Sequence, residues 1–270
     1  MRTLKVMNLG LLLLTCLAPN ALAQQSPATA PNWMATDTWQ DRGYFHLSFG
    51  GQSQDQTFTD TTAFTIYGER GNTAAGHSIG GGSLFDLSVG ARVWKNLGVG
   101  LGYSSNSNEN DATVTVRVPH PVVFGQFREA TATATDLEHS EKAVHLQLVW
   151  MMPLTSKIRL AFMAGPSFFT VRQDVASVRA PEDLRDVAPF TSVSIATVTV
   201  TDVKESPVGI NLGVDATYAI TEYEGVGIGA GAFVRYAGAT ADLPLAAGAT
   251  RDEDIKAGGA QAGIGLRLRF

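Results

Sequence analysis

Cysteine is all but missing from this 270-residue chain, and the single one, Cys16, lies near the N-terminus. Disulfide cross-links and cysteine-ligated zinc are thereby excluded from the body of the protein. Charged residues make up only 17%, and a net charge of −5 gives no electrostatic basis for nucleic-acid binding. After residue 23 no apolar run approaches the roughly 18 to 20 residues of a membrane-spanning helix. Helical periodicity is nowhere sustained, so any membrane role must use strands. What is abundant is glycine, with 28 residues, and apolar side chains, at 44%.

The first segment reads as an export signal. Arg2 and Lys5 form a basic start, Leu9 to Leu17 an apolar stretch, and Ala21-Leu22-Ala23 a small-x-small cleavage site. Thr15 before Cys16 speaks against lipidation, where a small residue is usual. Residues 24–42 read as a periplasmic linker, rich in Pro, Ala and Ser, with Trp33 and Trp39 expected on the membrane surface or the barrel rim. Residues 43–270 form one domain.

From Gly43 onward apolar residues recur at every second position, the spacing of strands with two different faces. The final segment is clearest: Ala262, Ile264, Leu266, Leu268 and Phe270 alternate with Gln261, Gly263, Gly265, Arg267 and Arg269. Seven earlier segments repeat the pattern, beginning near Phe45, Phe85, Leu97, Val144, Ile158, Val208 and Val226. Their connections alternate in length. Trp94-Lys95-Asn96, Pro153 to Lys157 and Thr221 to Glu224 are tight, whereas Gln52 to Gly82, Ser105 to Lys142, Val171 to Pro207 and Ala237 to Lys256 are long and polar. This predicts an all-β, eight-stranded antiparallel transmembrane barrel with short periplasmic turns and long extracellular loops. Periodicity alone leaves open a soluble barrel of the lipocalin type, with the apolar face inward.

Gly263 to Phe270, with its terminal aromatic and alternating apolar residues, resembles the C-terminal assembly motif of outer-membrane barrels. In plan, Gly43 to Phe270 is similar to the eight-stranded transmembrane domain of the outer-membrane protein A and opacity-protein superfamily. The resemblance implies a cell outer-membrane location and insertion by the outer-membrane assembly machinery through Ile264, Leu266, Leu268 and Phe270. It further implies a monomer in outer-membrane lipid. The peptidoglycan-binding domain of the larger members has no counterpart after Phe270.

The polar face carries Asp86, Arg92, Arg159, Asp215, Arg235, Arg267 and Arg269, which must point inward because an arginine facing lipid near mid-membrane costs about 2 to 4 kcal/mol. They are expected to form a lumen charge network with an arginine excess, Arg267 and Arg269 being solvated near the periplasmic end. The glycine ladders at Gly98 to Gly102 and Gly225 to Gly231 lack the following helix of a phosphate-binding loop and are read as room for long inward side chains such as Arg235 and Phe233. His46 and His145 fall on the inner wall, and His77, His120 and His139 in long loops, with no spacing that fixes a general base against a nucleophile. No cofactor or metal motif is present, and no enzyme is predicted. The alternating Val114, Val116 and Val118 suggest strands running above the membrane, with Pro119 to Phe124 packed across the barrel mouth rather than exposed. Tyr103, Trp150, Phe168, Tyr218, Tyr223 and Tyr236 fit aromatic girdles. The function expected is structural or surface contact with an unidentified extracellular ligand, with a narrow pore and a lipid-modifying or proteolytic barrel as the alternatives.

Overall fold

A computed structural model describes residues 39–186, 188–245 and 248–270. The export signal, Trp33 and the linker up to residue 38 lie outside the described residues. Fourteen strands follow in chain order: β1 (Gly43–Ser53), β2 (Gln56–Ile66), β3 (Glu69–Ile79), β4 (Gly82–Trp94), β5 (Leu97–Pro119), β6 (Phe127–Pro153), β7 (Ile158–Ser177), β8 (Leu184–Asp186), β9 (Val193–Ile195), β10 (Thr199–Glu205), β11 (Val208–Tyr223), β12 (Val226–Ala241), β13 (Ala249–Arg251) and β14 (Ile255–Arg269).

Eight of them close a cylinder in the order β1, β4, β5, β6, β7, β11, β12, β14 and back to β1, every pairing antiparallel. The chain is a closed eight-stranded β-barrel. The seam runs from Tyr44 opposite Arg269 to Ser53 opposite Ala260. At its lower end the backbone carbonyl of Phe270 accepts from the amides of Arg42 (2.6 Å) and Gly43 (2.8 Å).

The other six strands lie within the long connections, which are far less irregular than their polarity suggests. β5 runs unbroken to Pro119 and β6 begins at Phe127, so only residues 120–126 of that connection are loop. The first connection is the β2–β3 hairpin, whose β3 docks beside upper β5 from Asn72 opposite Arg117 to His77 opposite Ala112. β10 adds to the upper end of β7, and β13 to β2. An upper storey thus rises from one side of the barrel.

The two storeys have opposite polarity. Along the lower wall Val99, Leu101, Leu146, Leu148, Trp150, Leu212, Val234 and Ile264 point outward and are exposed, while His145, Gln147 and Arg235 are buried. This overturns no sequence register but decides which face is inward: polar groups fill the barrel, and apolar groups coat it. In the upper storey Val114, Val116, Val118 and Leu137 form a buried apolar cluster with Val178 and Val193, and the threonines at 113, 131 and 133 face out. A bulge produces part of this change. Two steps along β5, from Asn110 to Ala112, oppose three along β6, from Leu137 to Ala134, with Asp136 at φ 60°. The extra residue flips the inward parity of β6.

Candidate functional site in the barrel lumen

Inward side chains from all eight wall strands meet on the barrel axis, and small residues opposite make the space. An added Cβ at Gly231 would fall 2.7 Å from the Arg267 side chain, and one at Gly263 would fall 2.7 Å from the Phe233 ring. The inner-wall glycines therefore accommodate long neighbours, as their spacing predicts.

Two charge pairs occupy mid-barrel. Arg235 Nη2 donates to Asp86 Oδ2 at 2.6 Å, and its Nε donates to Gln261 Oε1 at 2.7 Å. Arg267 grips Asp215 through Nη2 (2.6 Å) and Nε (2.9 Å), and its Nη1 donates to Ser48 Oγ at 2.8 Å. Thr217 adds a hydroxyl donor to Asp215 at 3.0 Å. Arg267 is 0% exposed, which corrects the expectation that it is solvated. Its guanidinium turns into the axis, where Asp215 and Ser48 hold it out of water.

The remaining arginines serve the lower mouth. Arg159 Nη1 donates to Asp41 Oδ2 at 2.8 Å, and Arg269 Nη1 approaches the same oxygen at 3.4 Å. Arg92 donates to the carbonyl of Trp39, and the Trp39 amide donates to Asn96 Oδ1 at 2.9 Å. Trp39 is 1% exposed and packs with Tyr44, Val149, Met151, Ala161 and Met163. This corrects the placement of Trp39 on the rim or membrane surface. Trp39, ahead of β1, enters the barrel mouth because Gly98 leaves vacant wall, and Gly90 does the same for Tyr44 of β1: added Cβ atoms there would lie 2.6 Å from Trp39 and 2.4 Å from Tyr44.

Toward the upper mouth the bonds continue through amides. Gln261 Nε2 donates to Gln52 Oε1, and Gln52 Nε2 to Glu141 Oε2, each at 2.7 Å. Glu141 Oε1 lies 3.1 Å from His139 Nε2, whose Nδ1 lies 2.6 Å from Gln173 Oε1. His145 sits between Ser104 Oγ (2.9 Å) and Ser167 Oγ (2.7 Å), as an inner-wall histidine should. His139 and His77 are buried on strands rather than held in loops, a third correction. His77 stacks on Phe58 with centroids 4.7 Å apart, and burial pushes its pKa down. Asp41 and Glu141, absent from the expected network, supply two further carboxylates and reduce the anticipated arginine excess.

Between Asp86, Asp215, Arg235 and Arg267 the remaining cavity is only about 10 Å³. That is about the room of one water molecule. Among the described residues no cluster of three or more His, Cys, Asp or Glu is placed to hold a metal ion.

Ile264, Leu266 and Phe270 of the terminal motif are exposed on the outer wall, with Leu268 partly so. At the opposite end the loop tip is exposed too: Phe124 is 86% accessible, with Val122 and Val123 beside it. The tip does not pack across the mouth as expected. Its backbone is held away by local bonds, with His120 Nδ1 accepting from the amides of Val122 and Val123 (both 3.1 Å) and Glu69 Oε1 accepting from Gly125 (2.8 Å). The roof is formed instead by the segment around β8 and β9. Arg128 clamps it with two bonds to Asp186 and one to the Pro119 carbonyl (2.9 Å), and hydrogen bonding from Arg128 holds the Asp186 carboxyl below its ordinary value.

No protein-family model matches the chain, and no curated protein sequence matches it. Among solved structures the chain is similar in fold to several outer-membrane proteins. Neisserial surface protein A is 12% identical at a TM-score of 0.39, over 84% of this chain and 97% of that one. The outer membrane protein OprG from Pseudomonas aeruginosa is 12% identical at 0.43, over 85% and 97%. The outer membrane protease OmpT from Escherichia coli is 10% identical at 0.42, over 88% and 100%. The barrel itself rests on the strand register of this chain and not on these likenesses.

Proposed function

We propose that the chain is an integral outer-membrane barrel with a structural and surface-contact role, its upper storey outside the cell and its short turns in the periplasm. The observation that carries this reading is the inverted polarity of the lower wall. Aliphatic and aromatic side chains on all eight wall strands face outward, and charged and amide groups fill the axis. In water such a coat would far exceed the few hundred Å² of contiguous apolar surface that soluble monomers carry. In lipid it is the required arrangement, and closure of the barrel leaves no strand edge unpaired within the wall. Trp150, Tyr218, Tyr223 and Tyr236 stand exposed where girdle aromatics belong.

Surface contact is favoured over conduction because the axis is filled, with a cavity of about 10 Å³ between its charges. It is favoured over catalysis because His46, His139 and His145 are buried in the wall and His77 in the upper storey, while His120 is engaged with backbone amides. The exposed, apolar tip at Val122, Val123 and Phe124 is the part of the upper storey best placed to touch another surface. Extraction of cell envelopes and gel migration test the reading: the chain should stay with the outer membrane after carbonate washing and run differently boiled and unboiled. A detergent-free monomeric species with native strand content would overturn it.

A further inference from the structure

The outer wall of β5, β6, β7, β10 and β11 can be read row by row from the strand register. Tyr103, Val144, Phe168 and Val208 lie directly opposite one another across four strands and form the topmost apolar row of this sector. One outward position higher, Lys142 lies between Ser105 and Thr170. At the next, Arg172 lies between Ser140 and Lys204. All three cations are exposed, and among the described residues none forms an ion pair.

This arrangement concentrates positive charge that no carboxylate within 4 Å balances among the described residues. Like charges directly opposite on neighbouring strands destabilise a sheet, and Arg172 opposite Lys204 is such a pair. Lys142 is the diagonal neighbour of Arg172, so one array of positive charge spans three strands, about 10 Å across at the usual strand spacing. A row of acids stands above it. Glu109 lies opposite Glu138, Asp174 lies opposite Asp202, and the Glu138 amide donates to Asp174 Oδ2 at 3.1 Å. That row repels anions arriving from solution, while the cations below it sit at the edge of the apolar belt, where lipid phosphates lie.

We propose that Lys142, Arg172 and Lys204 form a binding site for the phosphates of a membrane lipid headgroup, specifically a phosphorylated glycolipid of the outer leaflet. The width of the array suits a headgroup with more than one phosphate better than a single glycerophosphate. Arg172 supplies a planar fork for phosphate oxygens and the two lysines supply point charges. The site rests on the outer-membrane reading above, which puts this end of the barrel in the outer leaflet.

The full-length protein, refolded in a nonionic detergent, is titrated with diphosphorylated lipid A, phosphatidylglycerol or inorganic phosphate, and bound lipid is counted by native mass spectrometry. Lipid A should bind, and the triple variant K142Q/R172Q/K204Q should bind it about tenfold more weakly, the scale of a lost charge-assisted contact set. K95Q at the opposite rim should bind as the unchanged protein does. Equal binding by the triple variant, an equal loss in K95Q, or equal binding of phosphatidylglycerol or inorganic phosphate would each overturn the site. Boiled and unboiled migration verifies folding of each variant, and R172Q alone, with a smaller loss in the same direction, replaces a triple variant that does not fold. Failure of the unchanged protein to enter lipid vesicles would overturn the outer-membrane reading; insertion with unchanged lipid A binding overturns this site alone.

Discussion

Replacing Asp86 with Asn tests whether the barrel axis is held by charge pairing. Arg235 is 2% exposed, and among the described residues its only carboxylate contact within 4 Å is Asp86, at 2.6 Å. The variant keeps the bond from Arg235 Nε to Gln261 but leaves a guanidinium beside a neutral amide, with a neighbouring cavity of only about 10 Å³ to admit water. Removing one partner from such a pair costs about 3 to 5 kcal/mol, because the remaining charge stays buried. Asp215 cannot take over, since Arg267 and Thr217 already occupy both its oxygens. The double variant D86N/R235M removes both charges and should recover most of the loss, giving a coupling energy of about 2 kcal/mol or more when set against D86N and R235M alone. Equilibrium unfolding in urea from lipid vesicles, followed by tryptophan emission, measures all four corners of the cycle. A single variant within about 0.5 kcal/mol of the original protein, or a double variant whose loss is the sum of the singles, would refute the argument.

Truncating Trp39 to Ala should cost about 3 to 5 kcal/mol in the same unfolding assay, since the ring is fully packed at the lower mouth. G90A should cost about 1 to 3 kcal/mol by driving a methyl into Tyr44, whose ring is 2.4 Å from the new Cβ, and adding Y44A should relieve that particular strain. Asp186 has a depressed pKa in the folded state, so its contribution to the roof is present above the ordinary carboxylate range and is lost as pH falls through the folded value; the protection of residues 188–198 against hydrogen exchange, relative to the intrinsic rate, should fall below about pH 4, and R128A should lower it at neutral pH as well. F124D should leave the unfolding free energy within about 0.5 kcal/mol, because the 86% accessible ring packs on nothing that the barrel needs.

The barrel was legible where its two faces differ in chemistry. In β14 and lower β6 the outward residues are apolar and the inward ones polar, so alternation is visible and gives both strand and register. Higher on β6 that contrast vanishes: inward His139 and Glu141 alternate with outward Ser140 and Lys142, and an all-polar run looks like a loop. The missing signal was parity, since His145, Ala143, Glu141 and His139 continue the inward series of Gln147 without interruption. Asp41 offered no such continuity. Its partners Arg159 and Arg269 are 118 and 228 residues away, and its own surroundings are those of a polar linker, so only tertiary closure brings the carboxylate to them. Trp39 left an indirect trace in Gly98, a gap in the inner wall that a barrel filled only by its wall residues would not need.

The reversal of polarity between the storeys links these features. A strand crossing from lipid to water must exchange an apolar outer face for a polar one, and its inner face is then free to become apolar. β5 makes the exchange with constant parity: Leu101 faces out below, while Val114 and Val116 face in above. β6 makes it with a bulge at Asp136, which changes parity and lets Ala130, Ala132 and Ala134 line the inside. The lower storey is consequently ordered by specific pairs such as Arg267 with Asp215, and the upper by packing around Val114 and Val116. Because these interiors rely on different forces, acid should loosen the Arg128–Asp186 roof clamp without removing the apolar packing around Val116, and hydrogen exchange should open the β8–β9 segment before the core of β5. Simultaneous loss of both would mean that the Asp186 clamp, not the valine cluster, holds the upper storey together.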